Sequence, residues 1–134
     1  MRPAHHRQAC AVMALVAALV IPYGASASDA RNLYRAVEMK GDSTCSTFVA
    51  ARDEGRRGDN RRVNEYADWM AGYLTANSVF VPDTYDILGS SDMNAVLLWL
   101  ENYCKQNPLN TFAAAAEAVT AALYPKRTRN SPKQ

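Results

Sequence analysis

Histidine is almost missing from this chain. Its only two, His5 and His6, lie at the extreme N-terminus, so nothing beyond them offers the side chain that most often moves protons near neutral pH. Cysteine is scarce, at three in 134 residues, and no two stand in a Cys-x-x-Cys spacing. A zinc site built from imidazole and thiolate, or a thioredoxin-like redox centre, therefore has no ligands to use. Neither Gly-x-Ser-x-Gly nor Ser-x-x-Lys occurs, which leaves a serine nucleophile without its base, and no glycine-rich loop is present to cradle phosphate. The acid pairs Asp53/Glu54 and Asp83/Asp86 do not follow the spacing of a calcium loop and read as surface acids near turns. These absences point to a protein that is not an enzyme and needs no metal or cofactor.

Charge of one sign is lacking as well, once the N-terminus is set aside. Arg2, His5, His6 and Arg7 form a positive head, Ala9 to Ile21 is an apolar run, and Pro22 and Gly24 break it before Ala25-Ser26-Ala27. This order reads as a secretory signal over residues 1–27 with cleavage after Ala27. The apolar run is too short for a membrane span, which takes roughly 20 residues, so no span is expected after cleavage. The formal +2 of the whole chain rests on Arg2 and Arg7; without them the 15 basic residues fall to 13 and balance the 13 acids. Such a chain has no basic surplus to attract nucleic acid. Both histidines and Cys10 also leave with the signal, and Cys45 and Cys104 remain as a pair.

Two cysteines in an exported chain most often bond to each other. Buried free thiols or a redox pair are the alternatives, and the missing Cys-x-x-Cys spacing weakens the second. A bridge here would close a loop of roughly 60 residues and stabilise the fold by about 4 kcal/mol on a chain-entropy model.

Apolar spacing is helical throughout 28–124, which reads as one all-α domain of four to five helices closed by one disulfide. A short amphipathic helix is expected over 28–39. Gly41-Asp42-Ser43-Thr44 ends it and supplies caps for a helix over 44–54. A polar, basic loop follows, with Arg56, Arg57, Arg61 and Arg62. In the helix over 62–77, Val63, Tyr66, Ala67, Met70, Tyr73 and Leu74 form the stripe, Trp69 widens it, and Gly72 suggests close approach of a neighbouring helix. An apolar connection runs to Gly89 through the Pro82-Asp83 turn. Ser91 or Asp92 should cap a helix over 92–106 that is apolar nearly all round and hence central. Asn107-Pro108 ends it, Asn110 should cap the last helix, and Pro125 should close that helix before a disordered basic tail at 125–134. Aromatic residues are the candidates for binding, as core or as contact surface; Trp69, Tyr73, Phe80 and Tyr85 are the proposed client or partner surface. The arginine cluster reads as a solvated loop.

Cys45-Ser46-Thr47-Phe48, a helix bearing Trp69-Met70, and Tyr103-Cys104-Lys105-Gln106-Asn107-Pro108 before a further helix together resemble the HdeA/HdeB family over roughly residues 43–124. The segment 103–108 is the most specific part. The longer basic loop at 55–62 and the alanine-rich last helix depart from the family pattern. The resemblance implies a small periplasmic acid-stress chaperone, dimeric at neutral pH, with one disulfide between Cys45 and Cys104 and unfolded proteins as clients. Gly72-Tyr73, and a cysteine–proline junction before an alanine-rich helix ending Leu123-Tyr124-Pro125, look like the Tai-type immunity proteins. That likeness implies instead a single protein partner, a type VI secretion amidase, although the family usually carries further cysteines. An envelope protein with neither role fits the composition equally. Without histidine, acid response must come from carboxylates, which titrate around pH 4 when unperturbed. Neutralising all 13 acids would carry residues 28–134 from near zero to roughly +13.

Overall fold

The structure, a computed structural model, describes residues 39–131. The signal-like segment and all of the expected 28–39 helix except Met39 lie outside the described residues. Four helices follow in order: α1 (Cys45–Arg56), α2 (Arg61–Phe80), α3 (Met93–Gln106) and α4 (Phe112–Leu123), then a single 3-10 turn, Tyr124–Lys126. The fold is all-helical among the described residues, with Cys45 and Cys104 joined in a buried disulfide.

Helices α1 and α4 begin side by side because each satisfies the other's first amides. Thr44 and Thr111 precede them in the same extended conformation and pair as an antiparallel bridge. Across that bridge the Cys45 N–H donates to the Asn110 carbonyl and the Phe112 N–H to the Ser43 carbonyl, both at 2.8 Å. Ala113 and Ser46 donate in the same way to Gly41 and Pro108, each at 3.1 Å. Four amides that a helix start leaves without an internal partner are thus paired. The disulfide then fixes α3 to the same corner. The Tyr103-to-Pro108 segment makes the turn, with the Asn107 side chain donating to the Tyr103 carbonyl at 2.9 Å. Asn110 does not cap α4 as expected. Its amide donates to the Tyr103 hydroxyl at 3.0 Å, and Thr111 caps instead, accepting from the Ala114 N–H at 3.2 Å. Asp92 caps α3, accepting from the Ala95 N–H at 2.8 Å.

The core condenses around this corner. Phe48, Tyr66 and Phe112 are fully buried, with ring centroids 4.8 to 5.1 Å apart. Such pairs contribute about 0.5–1.5 kcal/mol each beyond the area they bury. The Tyr66 hydroxyl stays satisfied by donating to Ser43 Oγ at 2.8 Å. Cys45, Cys104, Met70, Leu100 and Val119 complete the packing.

Helix α3, like α1, packs against each of the other three helices, and it carries Leu98 and Trp99 on its exposed side. Two expectations are corrected. Gly72 is not a close-approach site, since a Cβ there would meet nothing within 4 Å. The close approach occurs at Gly89, at φ +59°, where a Cβ would lie 2.1 Å from the Lys126 carbonyl oxygen. That contact also overturns the reading of a disordered tail as far as residue 128; residues 132–134 lie outside the description. The helix ends at Leu123, before Pro125, and the chain then returns along the α2–α3 connection. Tyr85 and Asp86 donate their N–H groups to the Thr128 carbonyl at 2.9 and 3.1 Å, and Thr128 donates back to Asp86 at 2.9 Å. Arg127 donates to the Asp83 carbonyl and to Thr84 Oγ1, with its guanidinium 3.7 Å above the Tyr124 ring. The irregular connection has polar backbone that needs partners, and the chain end provides them.

Two glycine substitutions therefore have opposite signs. Gly72→Ala should stabilise the protein by about 0.5–1 kcal/mol, the helix-propensity difference. Gly89→Ala should destabilise it by about 2 kcal/mol or more, through backbone clash and positive φ. Urea unfolding at pH 7 measures both. Replacing Cys45 and Cys104 by serine should cost about 2–5 kcal/mol in the same experiment.

Candidate binding surface

Helix α3 turns Val96, Leu97, Leu100 and Cys104 inward. Leu98 and Trp99 point outward, at 55% and 36% exposure. The Trp99 ring stacks on Tyr103 one turn later, with centroids 5.5 Å apart and planes 13° from parallel, which holds the indole along the helix surface. Beside it, a shallow depression of about 150 Å³ lies between α3 and α4, lined by Ala95, Trp99, Ala122 and Lys126 among others. That is well under the roughly 300 Å³ at which small-molecule sites begin. The shape suits contact with another surface better than enclosure of a small ligand.

The four aromatic residues expected to form one surface occupy two places. Trp69 and Tyr73 stack on each other at 5.5 Å, and Trp69 meets Phe112 edge-on at 5.6 Å, so both lean on the core. Phe80 lies about 16 Å further along α2, given the rise of a helix. It is 82% exposed, beside exposed Val79, and Tyr85 across the following turn is half exposed. Exposed apolar groups thus gather at the tip of α2 and on the outer face of α3, with Met39, Leu109 and Tyr124 exposed elsewhere.

The acid pairs and the arginine cluster engage one another. Arg61 pairs with Asp59 and Arg62 with Glu54, while Arg56 binds both Asp53 and Glu101. Asp86 caps the turn that follows it, accepting from the Leu88 N–H at 3.0 Å, and Asp83 uses its backbone carbonyl to hold Arg127. The arginine cluster is largely solvent-exposed as expected, with Arg56, Arg61 and Arg62 each also paired to a nearby acid.

Glu101 is the one buried charged residue described. Its carboxylate accepts from Arg52 Nε at 3.0 Å and from both terminal nitrogens of Arg56 at 3.1 and 3.0 Å, and Lys105 Nζ lies 2.6 Å away. The hydrogen bonds from Arg56, followed by those from Lys105 and Arg52, outweigh burial and hold this carboxyl at about 2. Asp59 is held at about 2 by Arg61 as well, but that pair is fully solvated and has little bearing on stability. Glu101 went unremarked in the sequence. The available signal was a single acid between Met93 and Cys104 in an otherwise uncharged run, four residues before Lys105.

No family model, curated protein or solved structure matches this chain.

Proposed function

We infer that this chain is a non-enzymatic, exported binding protein of the periplasm that holds acid-unfolded proteins on apolar helix surface. The observation that carries the reading is the bare outer face of α3, where Leu98 and Trp99 stand uncovered beside a shallow apolar depression. A helix apolar on nearly all sides is ordinarily buried. Exposed apolar surface rimmed by polar groups marks a contact site. Phe80, Val79 and Tyr85 add a second such region.

The charge balance supports acid as the trigger. Residues 28–134 carry equal numbers of acids and bases, so falling pH converts a neutral chain into a strongly cationic one. Self-repulsion loosens helix packing while the disulfide keeps the opened chain compact. More apolar surface then reaches clients under conditions in which those clients are themselves unfolded. At neutral pH the same bare face suits a second copy of the chain, in keeping with the dimer that the resemblance implies.

At pH 2 the oxidised protein should suppress aggregation of an acid-unfolded client, followed by light scattering. Leu98→Ser combined with Trp99→Ser should lose at least half of that capacity while remaining helical at pH 7. Phe80→Ser, at a solvent-exposed position, should change stability by no more than about 0.5 kcal/mol. A protein that is inert at pH 2, yet forms a stoichiometric complex with a secreted amidase at neutral pH, would overturn this reading in favour of an immunity protein.

A further inference from the structure

The seam between α1 and α3 is closed at two points. One is the disulfide. The other is Glu101, one turn before Cys104, whose side chain is 4% exposed. From α1 come Arg52 and Arg56, and from α3 comes Lys105. Asp53 shares Arg56 from its outer side. Helix α2 spends its charges elsewhere, Arg62 on Glu54, Arg61 on Asp59 and Glu65 on Lys40, with Asp68 beside Lys40 and Glu65. Helix α4 carries one charge, Glu117. Three cations thus converge on a single buried carboxylate, and that carboxylate is what allows them to stand so close together.

We propose that Glu101 is an acid-released latch: protonating it leaves Arg52, Arg56 and Lys105 facing one another without their common counter-charge, and α1 swings from α3 about the Cys45–Cys104 bond. The proposal deepens the acid-triggered reading above and rests on it for its purpose. Arg52 lies seven residues beyond Cys45 on α1, about 10 Å along the axis. The far end of α1 is therefore free to move while its beginning stays tied. Separation uncovers Phe48 on α1 together with Leu97 and Leu100 on α3, all members of the buried core.

The sign and the pH window follow from the arrangement. Glu101 titrates below the ordinary glutamate value of 4.5, at about 2. Its contribution to stability is complete above 4.5 and is lost as pH falls through the interval down to about 2. The latch thus holds in mild acid and opens near pH 2, where ordinary carboxylates are already protonated.

Carboxyl NMR of the oxidised protein, labelled at glutamate side chains, tests this directly. Glu101 should titrate near pH 2, in step with loss of contacts from Leu97 and Leu100 to α1. Titration at the ordinary value, or titration near 2 with those contacts intact, would overturn the latch. Glu101→Gln should bind an apolar-surface dye already at pH 7, and wild type should converge on that behaviour at pH 2. An unchanged acid transition in the variant argues against the proposal. If Glu101→Gln does not fold, Arg52→Gln and Lys105→Gln each remove one cation and should raise the wild-type opening midpoint by about half a pH unit or more; no shift in either sinks it. Opening through Glu101 without any suppression of client aggregation would remove the chaperone reading and leave the latch standing. Suppression at pH 2 with the seam still closed would do the reverse.

Discussion

Helix α1 is only twelve residues long, yet α2, α3 and α4 all pack on it. What holds it in place is its seam with α3, built from two unlike interactions. The disulfide acts through the chain: it joins residues 59 apart and restricts the unfolded ensemble whatever the pH. The Glu101 cluster acts through charge, and its strength depends on the protonation of one carboxyl. Only the carboxylate is buried, while Arg56 and Lys105 are half exposed, so loss of Glu101 weakens the seam by less than the roughly 3–5 kcal/mol of a fully buried pair. Against a typical domain stability of about 5–15 kcal/mol, a change at this point is a change to the whole fold.

The rest of the architecture follows from that corner. Reciprocal pairing of the amides at Thr44 and Thr111 starts α4 beside α1, and Phe112 enters the cluster of Phe48 and Tyr66 directly after it. Three neighbouring helices cannot enclose one as apolar as α3 on every side. A chain of this size buries a limited share of its surface, and the surplus emerges as Leu98 and Trp99. The proposed binding face is in this sense the excess of the same hydrophobicity that forms the core. The strap at 124–128 supplies backbone partners to the connection between α2 and α3, which lets that irregular segment bury Ile87.

Features with local causes were legible in the sequence. Helical spacing placed all four helices within a few residues of their ends, Asp92 carried its capping role, and Cys45 and Cys104 pair as expected. The misses share a different origin. Periodicity reports how apolar α3 is, but which face remains bare depends on how many neighbours the chain can bring to it. Gly72 and Gly89 look alike in sequence, and only the return of the chain end distinguishes them. The partners of Glu101, Arg52 and Arg56, are 49 and 45 residues away and read separately as part of a helix and a basic loop. A polar, basic C-terminus has the composition of a tail until Arg127 and Thr128 find the connection. Within the expected aromatic surface, Trp69 and Tyr73 lean on the core because the stripe they widen faces Phe112, whereas Phe80 lies beyond the last helix packed on α2.

If the α1–α3 seam organises the domain, it must also be the last part to open. Amide hydrogen exchange of the oxidised protein at neutral pH measures this most directly. The account predicts that amides in the second half of α1 and in α3 around Leu100 to Cys104 exchange only through global unfolding, while those at the tip of α2 and in the strap exchange earlier by local opening. Exchange of α1 by local opening, faster than the strap, would contradict it.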